Sequence, residues 1–151
     1  MTIAVDFDGT IVEHEYPEIG KPIPMALEVL RKLSEEENHK LILWTMREGT
    51  LLQDAIDYCE KNGVYFYACN KNYPEEVIQA GTPRKIGVDL FIDDRNVGGL
   101  LNWELIYKIV KSGSNPVQDY NNIEPAFRLP YQKNWMIRLG EAWEKSKGNN
   151  Y

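Results

Sequence analysis

Pairs of aspartates follow two separate apolar runs of the sequence. Asp6 and Asp8 come at the end of the first run, and Asp93 and Asp94 directly follow a later one. Carboxylates that are brought together repel one another, so such a cluster requires a cation. Oxygen ligands favour Mg²⁺ over Zn²⁺, and the sequence has no Cys/His cluster with zinc spacing. The four aspartates therefore predict a Mg²⁺ site, provided that the fold brings the two pairs together.

The spacing of Asp6 and Asp8 suits chemistry on phosphorus. Residues two apart in an extended stretch face the same side. One carboxylate can then attack phosphorus and become transiently phosphorylated. The other can give a proton to the leaving oxygen and later take one from water. Gly9 allows a close backbone turn after the pair, and Thr10 can bond back to that turn.

A hydroxyl and several basic side chains complete the candidate site. Thr45 ends another apolar run, and Arg47, Arg84 and Lys85 are nearby in the sequence. We predict that Thr45, Arg47 and Lys85 bind the substrate. A surface role is an equal alternative for Arg47, and Arg84 or Lys71 can take the place of Lys85.

The elements that must position these residues follow from the hydrophobic pattern. Apolar runs alternate with helical patterns, which predicts an α/β domain with a mainly parallel sheet. Ligands of such sheets bind beyond the carboxyl ends of the strands, so the aspartates and Thr45 should meet at one edge. Thr50 and Gln53 match a capping box at the start of the second helix. We predict strands at 3–7, 40–44, 64–69 and 88–92, and helices beginning near 24 and spanning 50–63, 75–80 and 102–111.

Composition limits the class of protein. The 151 residues are 43% hydrophobic, which suits one domain with a real core. A net charge of −6 disfavours charge-driven binding to nucleic acid, and no apolar run approaches the roughly 20 residues that cross a bilayer. Only Cys59 and Cys69 are present, so no disulfide framework is indicated. The expected compartment is the cytoplasm, with no nucleic-acid partner and no membrane.

The order of these motifs resembles the haloacid dehalogenase (HAD) superfamily of phosphatases. Residues 6–10, of sequence DFDGT, match its motif I, and Thr45 is placed like motif II. Lys85 is a candidate for motif III, and Asp93 with Asp94 matches the acidic motif IV. The resemblance covers roughly residues 2 to 111.

The resemblance implies a role for each acidic residue. Asp6 would be the nucleophile and a metal ligand, and Asp8 the general acid/base with its backbone carbonyl on the metal. Asp94 aligns with the metal-binding acid of motif IV. Asp93 would support the metal site through the metal's waters or through the basic residue of motif III. Thr45 and that basic residue, Lys85, would hold the phosphoryl group.

The resemblance also implies a domain organisation. Members often have a cap domain, but the two insertion points here, 11–23 and 70–84, are too short for one. The expected fold is therefore a Rossmann-like three-layer sandwich without a cap, with a catalytic core at 1–112. In the extension at 113–151, Trp135, Leu139 and Trp143 predict an amphipathic helix. We expect that helix to pack on the core or on a second subunit of a homo-oligomer.

The predicted function is a Mg²⁺-dependent phosphohydrolase that acts on a phosphomonoester through an aspartyl-phosphate. Its substrate would be a phosphorylated small molecule or a phosphoprotein. A phosphotransferase or mutase has the same motifs and stays an alternative. A non-catalytic phospho-acceptor signalling domain would need an aspartate after the third strand, where this sequence has Asn70. A silent binding module should have lost Asp6 or Asp8, and both are present.

Overall fold

The computed structural model describes residues 1–113, in which a parallel four-stranded sheet is packed with three helices. The sheet is open, with strand order β3-β2-β1-β4. This arrangement confirms the prediction of an α/β, Rossmann-like domain with a parallel sheet. The strands are β1 (Thr2–Val5), β2 (Lys40–Leu43), β3 (Ala68–Cys69) and β4 (Leu90–Ile92), and the helices are α1 (Ala26–Glu35), α2 (Gly49–Lys61) and α3 (Trp103–Ser112).

The register of the central strand makes the strand ends level. Val5, the last residue of β1, is paired with Leu43 on one side and with Ile92 on the other, and these are the last residues of β2 and β4. The backbone continues this pairing one step further, because Asp6 N donates to Ile92 O at 3.0 Å and Trp44 N donates to Val5 O at 2.9 Å. The residues that follow β1, β2 and β4 therefore emerge at one edge of the sheet, as the pattern predicted.

The two faces of the sheet are covered differently. Ile3, Val5 and the matching residues of β2 pack with the buried sides of α1, α2 and α3 in one cluster. The alternate residues, Ala4 and Ile42, pack with Ala68 and Ile86 in a second cluster to which no helix residue between 1 and 113 belongs. The third layer of the expected sandwich is therefore not seen in this part of the chain.

The prediction of a helix at 75–80 was wrong. Because no helix forms there, the second face of the sheet has no helix packed on it within residues 1–113. Right-handed crossovers place the connection from β3 to β4 opposite the helices that follow β1 and β2. The structure has only turns and irregular backbone over 70–89. A six-residue helix is too short to be stable without strong packing, and Val77, a candidate for its apolar side, is 74% exposed.

The other helices match the prediction with one further correction. Asn102 caps α3 by accepting a hydrogen bond from Leu105 N at 2.9 Å. The capping box predicted for α2 from Thr50 and Gln53 was wrong. The N-cap residue is Glu48, which makes no side-chain capping bond, and the Gln53 side chain donates to Asp57 instead. No helix within the described residues is both long and apolar enough to span a membrane.

The segment after β1 forms a short flap instead of a domain. Val12 pairs with Pro22 in an antiparallel bridge, and Glu13 N donates to Lys21 O at 2.8 Å. The two ends of the segment 13–21 are therefore next to each other. These residues are called the flap below. The two segments where a cap could be inserted, 11–23 and 70–84, form only turns, short bridges and irregular backbone. The predicted helix at Trp135, Leu139 and Trp143 lies outside the described residues.

Candidate active site

Three carboxylates converge at the level edge of the sheet. Asp6 follows β1, and Asp93 and Asp94 follow β4. One oxygen from each lies within 4.8 Å of the others, which is close enough for all three to hold one metal ion. Of the four aspartates predicted to meet at this edge, three form the cluster, and the Asp8 side chain is not part of it.

Asp94 is the buried member of this acidic triad. It is 5% exposed, and neither carboxylate oxygen has a hydrogen-bond partner among residues 1–113. Gly9 is in the left-handed region at φ 93°, and a Cβ there would lie 2.6 Å from Asp94 Oδ2. Glycine at this position is therefore required by the backbone conformation and by the close approach of Asp94.

Thr10 joins the loop after β1 to the end of β4. Its fully buried hydroxyl accepts a hydrogen bond from Asp94 N at 3.0 Å and donates one to Asp6 Oδ2 at 3.3 Å. Its carbonyl accepts from the indole N–H of Trp103 at 3.1 Å. The threonine thereby fixes the spacing between Asp6 and Asp94.

The electrostatics of the triad favour a bound cation. Burial raises the pKa of Asp6 well above its usual value, and the neighbouring charges of Asp93, Asp94 and Asp8 raise it further. Burial, followed by the charge of Asp93, raises the pKa of Asp94 to about 6. Such shifts mean that the ionised forms are under-compensated. The oxygen-only donor set and the unpartnered oxygens of Asp94 fit a hard divalent ion.

Asp8 differs from the triad because its charge is already paired. Arg47 Nε donates to Asp8 Oδ2 and Arg47 Nη2 donates to Asp8 Oδ1, both at 2.7 Å. The same guanidinium donates to the carbonyls of Pro17 at 2.9 Å and Glu18 at 2.8 Å in the flap. Arg47 is 1% exposed, so the structure places it in an internal ion pair and not on the open surface of the site.

The loop after β2 is held by a residue that the sequence reasoning did not place in the site. Asn70 Oδ1 accepts from Thr45 N at 2.9 Å, and Asn70 Nδ2 donates to Arg47 O at 3.2 Å. Thr45 Oγ1 accepts from Arg47 N at 3.2 Å. Asn70 directly follows β3, so the same strand-end rule could have identified it.

A cleft of about 620 Å³ lies over this edge of the sheet. Of the predicted site residues, Asp6, Asp8, Thr45 and Asp93 line it. Lys85 is exposed and is not among the lining residues, whereas its neighbour Arg84 is. The other lining residues are His14, Tyr16, Trp44, Met46, Glu48, Asn70 and Arg95.

Two flap residues of the cleft are not among the site residues predicted from the sequence. His14 and Tyr16 lie between the β1 loop and α1, in a segment without periodicity. Both ring nitrogens of His14 are buried without a hydrogen-bond partner among the described residues, and burial lowers its pKa while the charge of Asp8 opposes that shift. The sequence could have indicated them only through their position, because the flap follows the first aspartate pair closely in the chain.

The fold and the site define a small α/β protein with a parallel sheet and an acidic cluster at the strand ends. A solved structure of a conserved protein from Bacteroides thetaiotaomicron is similar to this chain, with 57% sequence identity and a TM-score of 0.72. The similarity covers 80% of this chain and 97% of that one. This chain belongs to the same family as that conserved protein. No protein-family model and no curated protein matches the sequence.

Proposed function

We propose that this protein is a Mg²⁺-dependent phosphohydrolase that forms an aspartyl-phosphate on Asp6. The main support is the convergence of Asp6, Asp93 and Asp94 within 4.8 Å at the carboxyl edge of the sheet. Oxygen ligands of this kind suit Mg²⁺, and a bound Mg²⁺ would neutralise charge on the phosphoryl oxygens. The resemblance of residues 6–10, Thr45 and the acidic pair to HAD phosphatases supports the same reaction.

The chemistry on Asp6 requires one bond to form and one to break. A carboxylate oxygen of Asp6 attacks phosphorus, and the bond from phosphorus to the leaving oxygen breaks. Asp8 lies two residues further on and also lines the cleft. In its protonated form it gives its proton to the leaving oxygen and becomes the carboxylate that Arg47 binds. In the second half, Asp8 takes a proton from water as the water attacks the aspartyl-phosphate, which releases inorganic phosphate and regenerates Asp6.

Thr45 and a basic side chain hold the phosphoryl group in this proposal. The Thr45 hydroxyl accepts one hydrogen bond from Arg47 N, so its own proton can be donated to a phosphoryl oxygen. Among the three basic candidates, Lys85, Arg84 and Lys71, the cleft favours Arg84, because Arg84 lines it and the two lysines do not. Arg84→Met should therefore impair turnover more than Lys85→Met. Equal rates for Arg84→Met and the wild type, with a loss in Lys85→Met, would reverse the assignment.

The proposed substrate is a phosphomonoester, and the dimensions of the cleft favour a small molecule. A volume of about 620 Å³ lies within the range typical of small-ligand sites. A phosphoprotein side chain would present the same reacting group, and a phosphotransferase would form the same intermediate. A panel of phosphorylated metabolites and phosphopeptides, with release of inorganic phosphate as the readout, separates these classes. The proposed compartment is the cytoplasm.

The proposal is tested by trapping the intermediate. With an aryl phosphate and Mg²⁺, acid quenching of the wild type should leave phosphate on Asp6. Asp6→Asn should abolish this label and lower turnover by about 10⁴-fold or more, because the nucleophile is lost. Asp8→Asn should still be labelled, and its loss of rate should be larger with an alkyl phosphate, whose leaving group needs the proton more. Undiminished turnover after exhaustive chelation, or a label on Asp8, would contradict the mechanism.

A further inference from the structure

Arg47 connects three parts of the cleft that are distant in the sequence. Its guanidinium uses Nε and Nη2 to bind both oxygens of Asp8, 39 residues earlier in the chain. Nη1 and Nη2 also bind the backbone carbonyls of Pro17 and Glu18. Its own backbone is held by the side chains of Thr45 and Asn70 at the ends of β2 and β3.

The surroundings of the guanidinium leave it little freedom. Its central carbon lies 5.0 Å from the ring centroid of Phe7 and 5.3 Å from that of Tyr16. Arg47 is 1% exposed and Asp8 is 8% exposed, so the ion pair is shielded from solvent. A bidentate arginine–carboxylate pair fixes direction as well as distance, and burial prevents water from replacing either partner.

The bonds from Arg47 to the flap act through the backbone. The carbonyls of Pro17 and Glu18 are next to Tyr16, which lines the cleft together with His14. By binding these carbonyls, Arg47 therefore also restrains the backbone that carries Tyr16 and His14. This arrangement provides one wall of the cleft in a chain whose described residues contain no cap domain.

We infer that Arg47 is a positioning residue that fixes the Asp8 carboxylate beside the cleft and fixes the flap as one wall of the cleft. The inference rests on the proposed function for its catalytic half. Its structural half, the control of the flap by Arg47, stands independently of the reaction. The two halves predict separate kinetic effects, since Asp8 would act in turnover and the flap, which lines the cleft, would act in substrate binding.

The experiment compares Arg47→Met, Arg47→Lys, Asp8→Asn and the double variant Asp8→Asn/Arg47→Met in the full chain. Arg31→Met is the matched control, because it makes the same change at an exposed arginine of α1. The measurements are kcat and KM for an alkyl phosphate with Mg²⁺, and hydrogen exchange of the peptide that spans 13–21. The double variant removes both buried charges together, so it should fold even if Arg47→Met does not.

Arg47→Met should lower kcat by about 100-fold, because a displacement of the acid/base by about 1 Å has an effect of that size. It should also raise KM by about tenfold and speed exchange in the flap, since the flap must then be ordered on binding. Asp8→Asn should lower kcat, while its KM and flap exchange should change less than in Arg47→Met, because Arg47 can still donate to the carbonyls of Pro17 and Glu18. The double variant should have the kcat of Asp8→Asn and the KM of Arg47→Met. Arg47→Lys keeps the positive charge but cannot bind both Asp8 oxygens in the bidentate way of a guanidinium, so its kcat should lie between those of Arg47→Met and the wild type.

Three results would overturn the inference. The first is wild-type KM and flap exchange in Arg47→Met. The second is a kcat in the double variant that is the product of both single losses, since Arg47 would then act on turnover independently of Asp8. The third is an equal change in Arg31→Met. If the wild type itself shows neither turnover nor phospho-enzyme, the proposed function fails. Flap exchange in Arg47→Lys and in the double variant still decides whether Arg47 fixes the flap.

Discussion

The two acidic regions of the cleft use the same side chain in opposite electrostatic settings. In the triad, three carboxylates approach within 4.8 Å, and no lysine or arginine in the described part of the chain forms an ion pair with them. At Asp8, both carboxylate oxygens are bound by Arg47 at 2.7 Å. Asp6 and Asp8 are only two residues apart in the chain, so the contrast arises from their neighbours and not from their local sequence.

The difference shows how a buried charge can serve either binding or positioning. Removing a charge from water is unfavourable unless a partner compensates for it. The partner of Asp8 is part of the protein, so this carboxylate is fixed in place before any ligand arrives. The triad is not compensated in this way, which is why burial and mutual repulsion raise the pKa values of Asp6 and Asp94. An added cation can provide there what Arg47 provides at Asp8.

The largest effect that tests this contrast is on the stability of the metal-free protein. Asp8→Asn leaves the buried Arg47 without its anion, so the free energy of unfolding should fall by about 3–5 kcal/mol. Asp94→Asn should be no less stable than the wild type at pH 8. The raised pKa of Asp94, about 6, means that protonation stabilises the folded protein and that this contribution is lost as pH rises through 6. Asparagine is neutral at every pH and avoids that loss.

Urea unfolding at pH 8 in the presence of a chelator measures both variants. Asp8→Asn/Arg47→Met is the control, and it should recover part of the stability lost in Asp8→Asn because neither buried charge remains. The contrast between the two regions would be refuted if Asp8→Asn matched the wild type, or if Asp94→Asn were destabilised as much as Asp8→Asn.

A second test ranks the two aspartates that follow β4. Asp93 Oδ1 already accepts a hydrogen bond from Arg95 N at 2.7 Å, whereas both oxygens of Asp94 are buried and unpartnered among residues 1–113. Asp94→Asn should therefore weaken Mg²⁺ binding by more than about 100-fold. Asp93→Asn should weaken it within the roughly 10–100-fold that loss of an outer partner causes. Calorimetric titration gives both values. Asp89→Asn, which changes a carboxylate bound to Thr2 N outside the cleft, is the control, and the reverse ranking would overturn the assignment.

The positions of the triad could be predicted from the sequence because they follow from topology. Parallel strands that end level place the next residue of each strand at one edge, whatever the details of packing. Asp6, Thr45 and Asp93 follow β1, β2 and β4 directly or within two residues, and all three line the cleft. The parallel sheet itself was predicted in the same way, from apolar runs that alternate with helical patterns.

Strand topology could not predict which basic side chains face the cleft or which groups they bind. Arg84 and Lys85 are adjacent in irregular backbone, where a shift of one residue decides which of them faces the cleft. The partner of Arg47 is 39 residues away, and no local pattern encodes that contact. The flap was expected to be short, but its bonds to Arg47 use backbone carbonyls, which residue types do not reveal.

The last and smallest effect is the pH dependence of metal binding, which tests the triad side of the contrast. The pKa of Asp94 is about 6 and that of Asp6 is also raised, so Mg²⁺ must displace protons from the triad in mildly acidic solution. The apparent affinity should therefore be steady near pH 8 and fall by about tenfold per pH unit below 6 for each proton displaced. Titration calorimetry in two buffers of different ionisation enthalpy should detect proton release at pH 5.5 and much less at pH 8. Asp94→Asn should show a shallower dependence, because one of the titrating carboxyls has been removed. An affinity that is the same at pH 5 and pH 8 would mean that the triad is already compensated in the free protein, and the difference between the two acidic regions would then disappear.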